Sequence, residues 1–321
     1  MKIGLVSDSL AHLSADDVIN TAAGLGLDCI EFATGNWSTA PHLNLNLEKL
    51  LSSTYARAEL KSKLEDNGLI LSALNANGNP LHPGDTGTLH SDCLYKTLEL
   101  ASLLDVENVI TMSGLPGAPG DRYPNWIVTA WPPETQTILK HQWEVAERYW
   151  RKTAEAARSR GVKIAIELHG QQLAYNLPTF RQLREITGDV VGLNFDPSHI
   201  LWMGGDPLAF IREAGSMIYH VHAKDTVIDS VNRATATALD NRPMTLSRER
   251  SWSYVTLGYG QPETWWNAFC YHLAHFASPD LTLSIEHEDM NLSRMEGVIK
   301  SVNLLKRTAT FEKSDYVLPD I

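Results

Sequence analysis

The sequence predicts one parallel (β/α)8 barrel over residues 1–321. Three observations carry that expectation. Eight short runs rich in Val, Ile and Leu recur, each followed by polar or Gly-rich residues and then by a segment of helical period. The runs are apolar on both faces, as parallel strands covered by helices must be. The connection after the first run, SDSLAHLSADD, is no Gly-rich phosphate loop, and neither GxGxxG nor GxxxxGK(S/T) occurs, which disfavours the rival open, doubly wound sheet.

The first strand, Ile3 to Val6, leads to a helix over Ser14–Leu25, where Ser14 is followed by two acids that suit a first turn. Strand Cys29 to Ala33 precedes a helix over Arg57–Asn67, closed by the Asn67-Gly68 stop. Strands Ile70 to Leu74 and Val109 to Met112 pair with helices over His90–Leu104 and Gln142–Arg160, the latter stopped by Gly161. Strand Ile164 to Leu168 precedes Pro178–Thr187, and Val191 to Phe195 precedes Pro207–Ala214; proline suits a first turn, where its missing N–H costs nothing. Strands Ile218 to Ala223 and Leu281 to Ile285 complete the set with helices over Pro262–Phe276 and Glu296–Lys306. The tail after Lys306 reads as a loosely held terminus or an oligomer arm.

Two connections are long: Ser113 to about His141, and Thr226 to Gln261. Following the fourth and seventh strands, both belong on the C-terminal rim, where loops of this length act as lids, binding segments or interfaces. Their aromatics Tyr123, Trp126, Trp131, Trp252, Tyr254 and Tyr259 either stack on a sugar ring or flat aglycone, or pack the loops down.

A formal charge of −11 disfavours a nucleic-acid binder, because phosphate backbone is gripped by clustered Lys and Arg. Cys29, Cys93 and Cys270 are far apart, so neither a disulfide framework nor a thiolate zinc site is expected. Asp8 interrupts the N-terminus too early for a signal-peptide core, and no apolar run approaches the ~20 residues of a membrane span. A cytoplasmic protein that binds neither nucleic acid nor membrane is the expectation.

The chemistry is concentrated at strand ends. GVKIAIELHG places Glu167 and His169 two apart, hence on one face. NFDPSH places Asp196 and His199; YHVHAKD places His220, His222, Lys224 and Asp225; SIEHED places Glu286, His287, Glu288 and Asp289. Four consecutive strands therefore end in acids and imidazoles where a barrel assembles its site. Taken singly, any one of them is more simply a helix cap or a surface ion pair. Taken together, Glu167, Asp196, His222 and Glu286 form a thiolate-free donor set for one divalent cation, manganese above magnesium, cobalt or zinc. His220, one step deeper than His222, reads as a satisfied interior histidine or a support for the ligands, and His199 as a helix cap or substrate contact. His287 and Asp289 have the opposite parity to Glu286 and face helices or the loop. His82, in NPLHPGD, anchors a turn. Lys224 either holds a substrate oxygen, protonates a leaving group, or pairs with Asp225 or Glu288.

In order and spacing, IELHG, NFDPSH, HVHAKD and SIEHED resemble the xylose-isomerase-like TIM-barrel family of sugar phosphate isomerases and epimerases, over nearly the whole chain. The resemblance implies Glu167, Asp196, His222 and Glu286 as metal ligands, His199 beside the substrate, and, as in related epimerases, Glu167 and Glu286 as proton-exchanging groups. Superfamily endonucleases acting at abasic sites carry extra ligands on strands two to four; SALNANGN and ITMSG lack them. NANGNPLHPG, MSGLPG, YPNW, WPPE and RSWSYVTLGYG look most like the catalytic subunit of bacterial C-glycoside deglycosidases. That likeness implies a 3-oxo-glucoside substrate, a small all-β partner subunit in a hetero-oligomer, and substrate contacts from Asn77 and Trp126. The shared elementary step is removal of a proton beside a sugar carbonyl, with the cation stabilising the enediolate. His169, on the ligand's face but two residues on, is the expected base.

Overall fold

Eight strands apolar on both faces can be buried only if helices cover one side and the strands close on one another. The computed structural model, which describes residues 1–38, 40, 42 and 46–319, shows that closure. The barrel strands are Lys2–Val6, Cys29–Ala33, Ile70–Asn75, Asn108–Met112, Lys163–Glu167, Val191–Phe195, Ile218–Ala223 and Thr282–Ile285. They follow one another around the barrel in chain order, all parallel, with the first paired to both the second and the eighth. Each differs from its sequence-derived range by at most a residue at either end.

Helices cover the outside and supply most of the core, in which Trp150, Trp266, Phe180 and Phe269 are fully buried. Their ends follow local chemistry. Ser14 accepts the Asp17 N–H, Asn176 and Thr179 form a reciprocal capping box, and Gly68 and Gly161 follow their helices with φ of +68°. Each such cap contributes about 1 kcal/mol.

Several elements depart from the sequence reading. The helix expected from Gln142 begins at Glu134, because Pro132 and Pro133 preset the backbone of its first turn. The helix expected from His90 begins at Asp85. The one expected to continue to Phe276 leaves α geometry after His272 for a π turn, Leu273–Ala277. Short helices Leu47–Ser52, Pro197–Met203 and Ser230–Ala236 were not anticipated. The second long connection is built: Asp225–Ile228 pairs antiparallel with Trp252–Val255 as a two-stranded ribbon on the rim. Of the tail after Lys306, residues 307–308 complete the last helix and 311–319 are exposed, while 320–321 lie outside the described residues. No described helix is long and apolar enough to cross a membrane.

Two register shifts position the site. One falls between Ile30 and Glu31, the other between Leu193 and Asn194. Such irregularities bend a strand and re-aim the next side chain. Glu31 and Asn194 are both fully buried, and each holds a histidine of the seventh strand.

Candidate metal centre

Glu167 is the last residue of the fifth strand, Asp196 follows the sixth, His222 is the penultimate residue of the seventh and Glu286 follows the eighth. One donor atom from each lies within 4.8 Å of those from the other three. Glu167, Asp196 and His222 are buried, whereas Glu286 is 16% exposed and opens the cluster toward solvent.

Each donor is aimed by a second contact. Asp196 caps helix Pro197–Met203 through Oδ1, which accepts the Ser198 N–H at 2.8 Å, so Oδ2 is turned toward the other donors, with His199 Nε2 at 3.1 Å. His222 Nε2–H donates to Glu31 Oε1 at 2.9 Å, and Glu31 is itself fixed by the Asn75 amide at 2.7 Å. That bond leaves the Nδ1 lone pair facing Glu167 Oε2 at 3.1 Å and Glu286 Oε2 at 3.0 Å. Glu167 Oε2 accepts from Asn77 Nδ2 at 2.8 Å and Asn194 Nδ2 at 3.3 Å, and its Oε1 accepts from His199 Nε2 at 3.1 Å. His220 is satisfied by Asn194 Oδ1 at 2.9 Å and Ser284 Oγ at 3.2 Å, consistent with an interior, supporting role.

The donor set can be tested for its fit to a cation. Asp196 Oδ2, His222 Nδ1 and Glu286 Oε2 are buried and, beyond the charge contacts of Asp196 with His199 and of Glu286 with Lys224 and His222, make no hydrogen bond. An unpaired buried acceptor costs about 1–3 kcal/mol, so donors this crowded demand a shared positive charge, either a proton on His222 or a cation. One divalent cation would satisfy all three and offset the carboxylates' −3 charge, with Lys224 Nζ 3.4 Å from Glu286 Oε2 adding a further positive charge. The residues fit such an ion. A second grouping, Glu31, His220 and His222, is hydrogen-bonded within the barrel and aims the first.

A proton competes for the same place. Burial opposes the charged form of His222, but Glu31, Glu286 and Glu167 outweigh it and hold its pKa well above the ordinary imidazole range. The metal-free protein therefore carries a proton there around neutrality, and a cation must displace it. Binding should release about one proton per metal, and affinity should fall as the pH is lowered through neutrality. Titration calorimetry in buffers of different ionisation enthalpy reads this directly; pH-independent affinity would contradict it.

His169 lies just beyond the fifth strand, half-buried, its ring centroid 4.1 Å from that of His199. Its Nδ1–H donates to the Gly170 carbonyl, so Nε2 is the basic face. Burial pushes its pKa down to about 4, which keeps it neutral. A Cβ at Gly170 would meet the Trp202 ring at 2.6 Å and Trp126 at 3.5 Å; glycine there lets both indoles close over this segment.

The other expected site residues also gather here. His199 lies inside helix Pro197–Met203 rather than capping it; Asp196 is the cap. Lys224 pairs with Glu288 at 2.6 Å, while Asp225 is held instead by the backbone N–H groups of Thr226, Gly258, Gly260 and Gln261. Asn77 holds Glu167 and keeps Oδ1 unpartnered. Trp126 is half-buried, edge-on to Tyr175 at 5.4 Å. Trp252 and Tyr254 are packed down, whereas Tyr123 and Trp131 are more than 70% exposed. His287 packs on Gly297 of the last helix, Asp289 accepts from Thr256, and His82 Nδ1 accepts the Gly84 N–H, as their parity and context implied. Sequence reasoning missed Glu31, Asn75 and Asn194. Only Glu31 left a trace, one acid inside the apolar run CIEFA.

A protein-family model described as xylose isomerase-like TIM barrel matches residues 19–308. The chain belongs to that family. Over 313 residues, 96% of this xylose isomerase-like barrel and 99% of its relative, it is 46% identical to the uncharacterized protein YfiH of Bacillus subtilis (strain 168). Two solved structures share the fold at 17% identity. A zinc-bound IolI protein gives a TM-score of 0.67, covering 97% of this chain and all of the other. The probable 3-DHS dehydratase AsbF of Bacillus anthracis gives 0.66, covering 95% and 99%.

Proposed function

We propose that this protein is a divalent-metal-dependent enzyme that removes a proton from the carbon beside a sugar carbonyl, leading to β-elimination of the aglycone from a 3-oxo-C-glucoside. The observation that carries the reading is the convergence of three unpartnered buried donors, Asp196 Oδ2, His222 Nδ1 and Glu286 Oε2, with a neutral imidazole close by. Glu167, Asp196, His222 and Glu286 would hold the cation, with manganese the favoured ion, and it would supply Lewis acidity to the substrate carbonyl. His169 Nε2 takes the C2 proton, the C1–C2 double bond forms, and the C1–aglycone bond breaks with its electron pair leaving on the aglycone, which is then protonated. Lys224 and Asn77 Oδ1 would hold substrate oxygens, His199 would border the substrate beside His169, and Trp126 borders the His169 segment.

The same first step also serves an isomerase or epimerase, the second reading, favoured by the family's description. There, Glu167 and Glu286 would exchange the proton between neighbouring carbons or opposite faces. A dehydratase on the same fold supports elimination only as a precedent.

Manganese-loaded protein incubated in deuterated water separates these readings by NMR. Aglycone release from a 3-oxo-C-glucoside, with deuterium on the aglycone carbon that had bonded C1, is the expected result. Deuterated epimers of free ketoses without elimination would select the isomerase. Absence of both aglycone release and deuterium incorporation with either substrate class would overturn both. The lyase reading also carries a small all-β partner subunit, which should co-purify from the native source.

A further inference from the structure

We propose that Tyr254, on the rim ribbon, is a positioning residue of the metal centre, which makes the Thr226–Gln261 insertion part of the site rather than a cover. This rests on the metal-centre reading above and not on the choice of sugar reaction.

The ribbon is anchored at both ends of its contact with the barrel. Its first strand begins one residue after Lys224, and Asp225 clamps the return of the chain by accepting the N–H groups of Gly258, Gly260 and Gln261 at 3.0–3.1 Å. On the returning strand, Trp252 stacks on Trp202 with centroids 4.6 Å apart and planes 11° from parallel. Trp202 belongs to the short helix that carries His199. Ribbon and helix are thus one packed unit.

Within it, the buried Tyr254 places its hydroxyl 3.0 Å from His199 Nδ1, and Trp202 Nε1–H reaches the same nitrogen at 3.4 Å. An indole N–H can only donate, so Nδ1 carries a lone pair and the ring hydrogen sits on Nε2. Nε2 faces Glu167 Oε1 and Asp196 Oδ2, both at 3.1 Å. The chain of contacts runs from Tyr254 O–H to His199 to two of the four donor residues, the kind of outer support that fixes a ligand's aim. The Tyr254 ring also lies under Lys224 Nζ, 4.3 Å from the centroid, and holds that ammonium beside Glu286.

The test uses full-length, 15N-histidine-labelled protein loaded with diamagnetic zinc, alongside manganese titrations, for the parent and Tyr254→Phe. Phenylalanine keeps the ring and its packing, which an unchanged melting profile verifies. In the parent, His199 should show the Nε2–H tautomer. Tyr254→Phe should shift it toward a mixture and weaken manganese binding about tenfold. Tyr254→Leu, which also removes the face under Lys224, should weaken it further. An unchanged His199 tautomer with manganese affinity within about twofold in both variants would overturn the proposal. A parent that binds no metal would instead overturn the metal-centre reading, so the two failures are distinguishable.

Discussion

Exchanging Glu286 for glutamine should weaken manganese binding by at least about 100-fold while leaving the metal-free protein as stable as the parent or slightly more so. The substitution keeps shape and removes one of three carboxylates whose donor atoms crowd within 4.8 Å. In the absence of a cation those like charges oppose each other, so neutralising one relieves repulsion. Lys224 loses one neighbour but retains Glu288 at 2.6 Å. With the cation bound the balance reverses, because an anionic donor facing a divalent charge has become a neutral amide. Thermal melting without metal, set against the melting shift that saturating manganese produces in parent and variant, reads both halves. A parental shift in Glu286→Gln would show that Glu286 is not a ligand.

His169→Ala should give the opposite pattern: turnover reduced by about 10²–10⁴-fold, with manganese affinity within about threefold of the parent. His169 belongs to neither ligand grouping, and its ring approaches the site through His199 rather than through a donor. Its Nδ1–H is committed to the Gly170 carbonyl, which leaves Nε2 unprotonated and available as a base. Its lowered pKa, about 4, favours neutrality at working pH, although it also makes the imidazole a weaker base than an ordinary one. Closure of substrate over the site, or deprotonation assisted by the cation, must supply the difference. Unimpaired turnover in His169→Ala would remove this residue from the chemistry and return the base role to Glu167 or Glu286.

The barrel was legible because its signals are local and repeated. Eight runs apolar on both faces, with helical segments between them, leave few ways to bury the strands, and the observed ranges depart from the sequence reading by single residues. The four donors were legible for a related reason. A carboxylate or imidazole that ends one apolar strand says little, but four in succession share a rim by topology alone. What held those donors was not legible. Glu31 lies among Cys29, Ile30, Phe32 and Ala33, and it meets His222, 191 positions away, with a register shift immediately before it. No short-range pattern encodes that shift. Asn75 and Asn194 are amides that any strand end can carry, and only closure of the barrel brings them against Glu31 and Glu167. Tyr254 was visible as a loop aromatic, but its pairing opposite Thr226 depends on a ribbon whose turn spans more than twenty residues.

The central claim is that one cation sits among the donors of four neighbouring strand ends. Crystals grown with manganese and measured across its absorption edge test it most directly. One strong anomalous peak is expected within about 2.0–2.3 Å of Glu167, Asp196 Oδ2, His222 Nδ1 and Glu286 Oε2. At saturating manganese, a peak held by other residues, or no peak inside the barrel mouth, would contradict it.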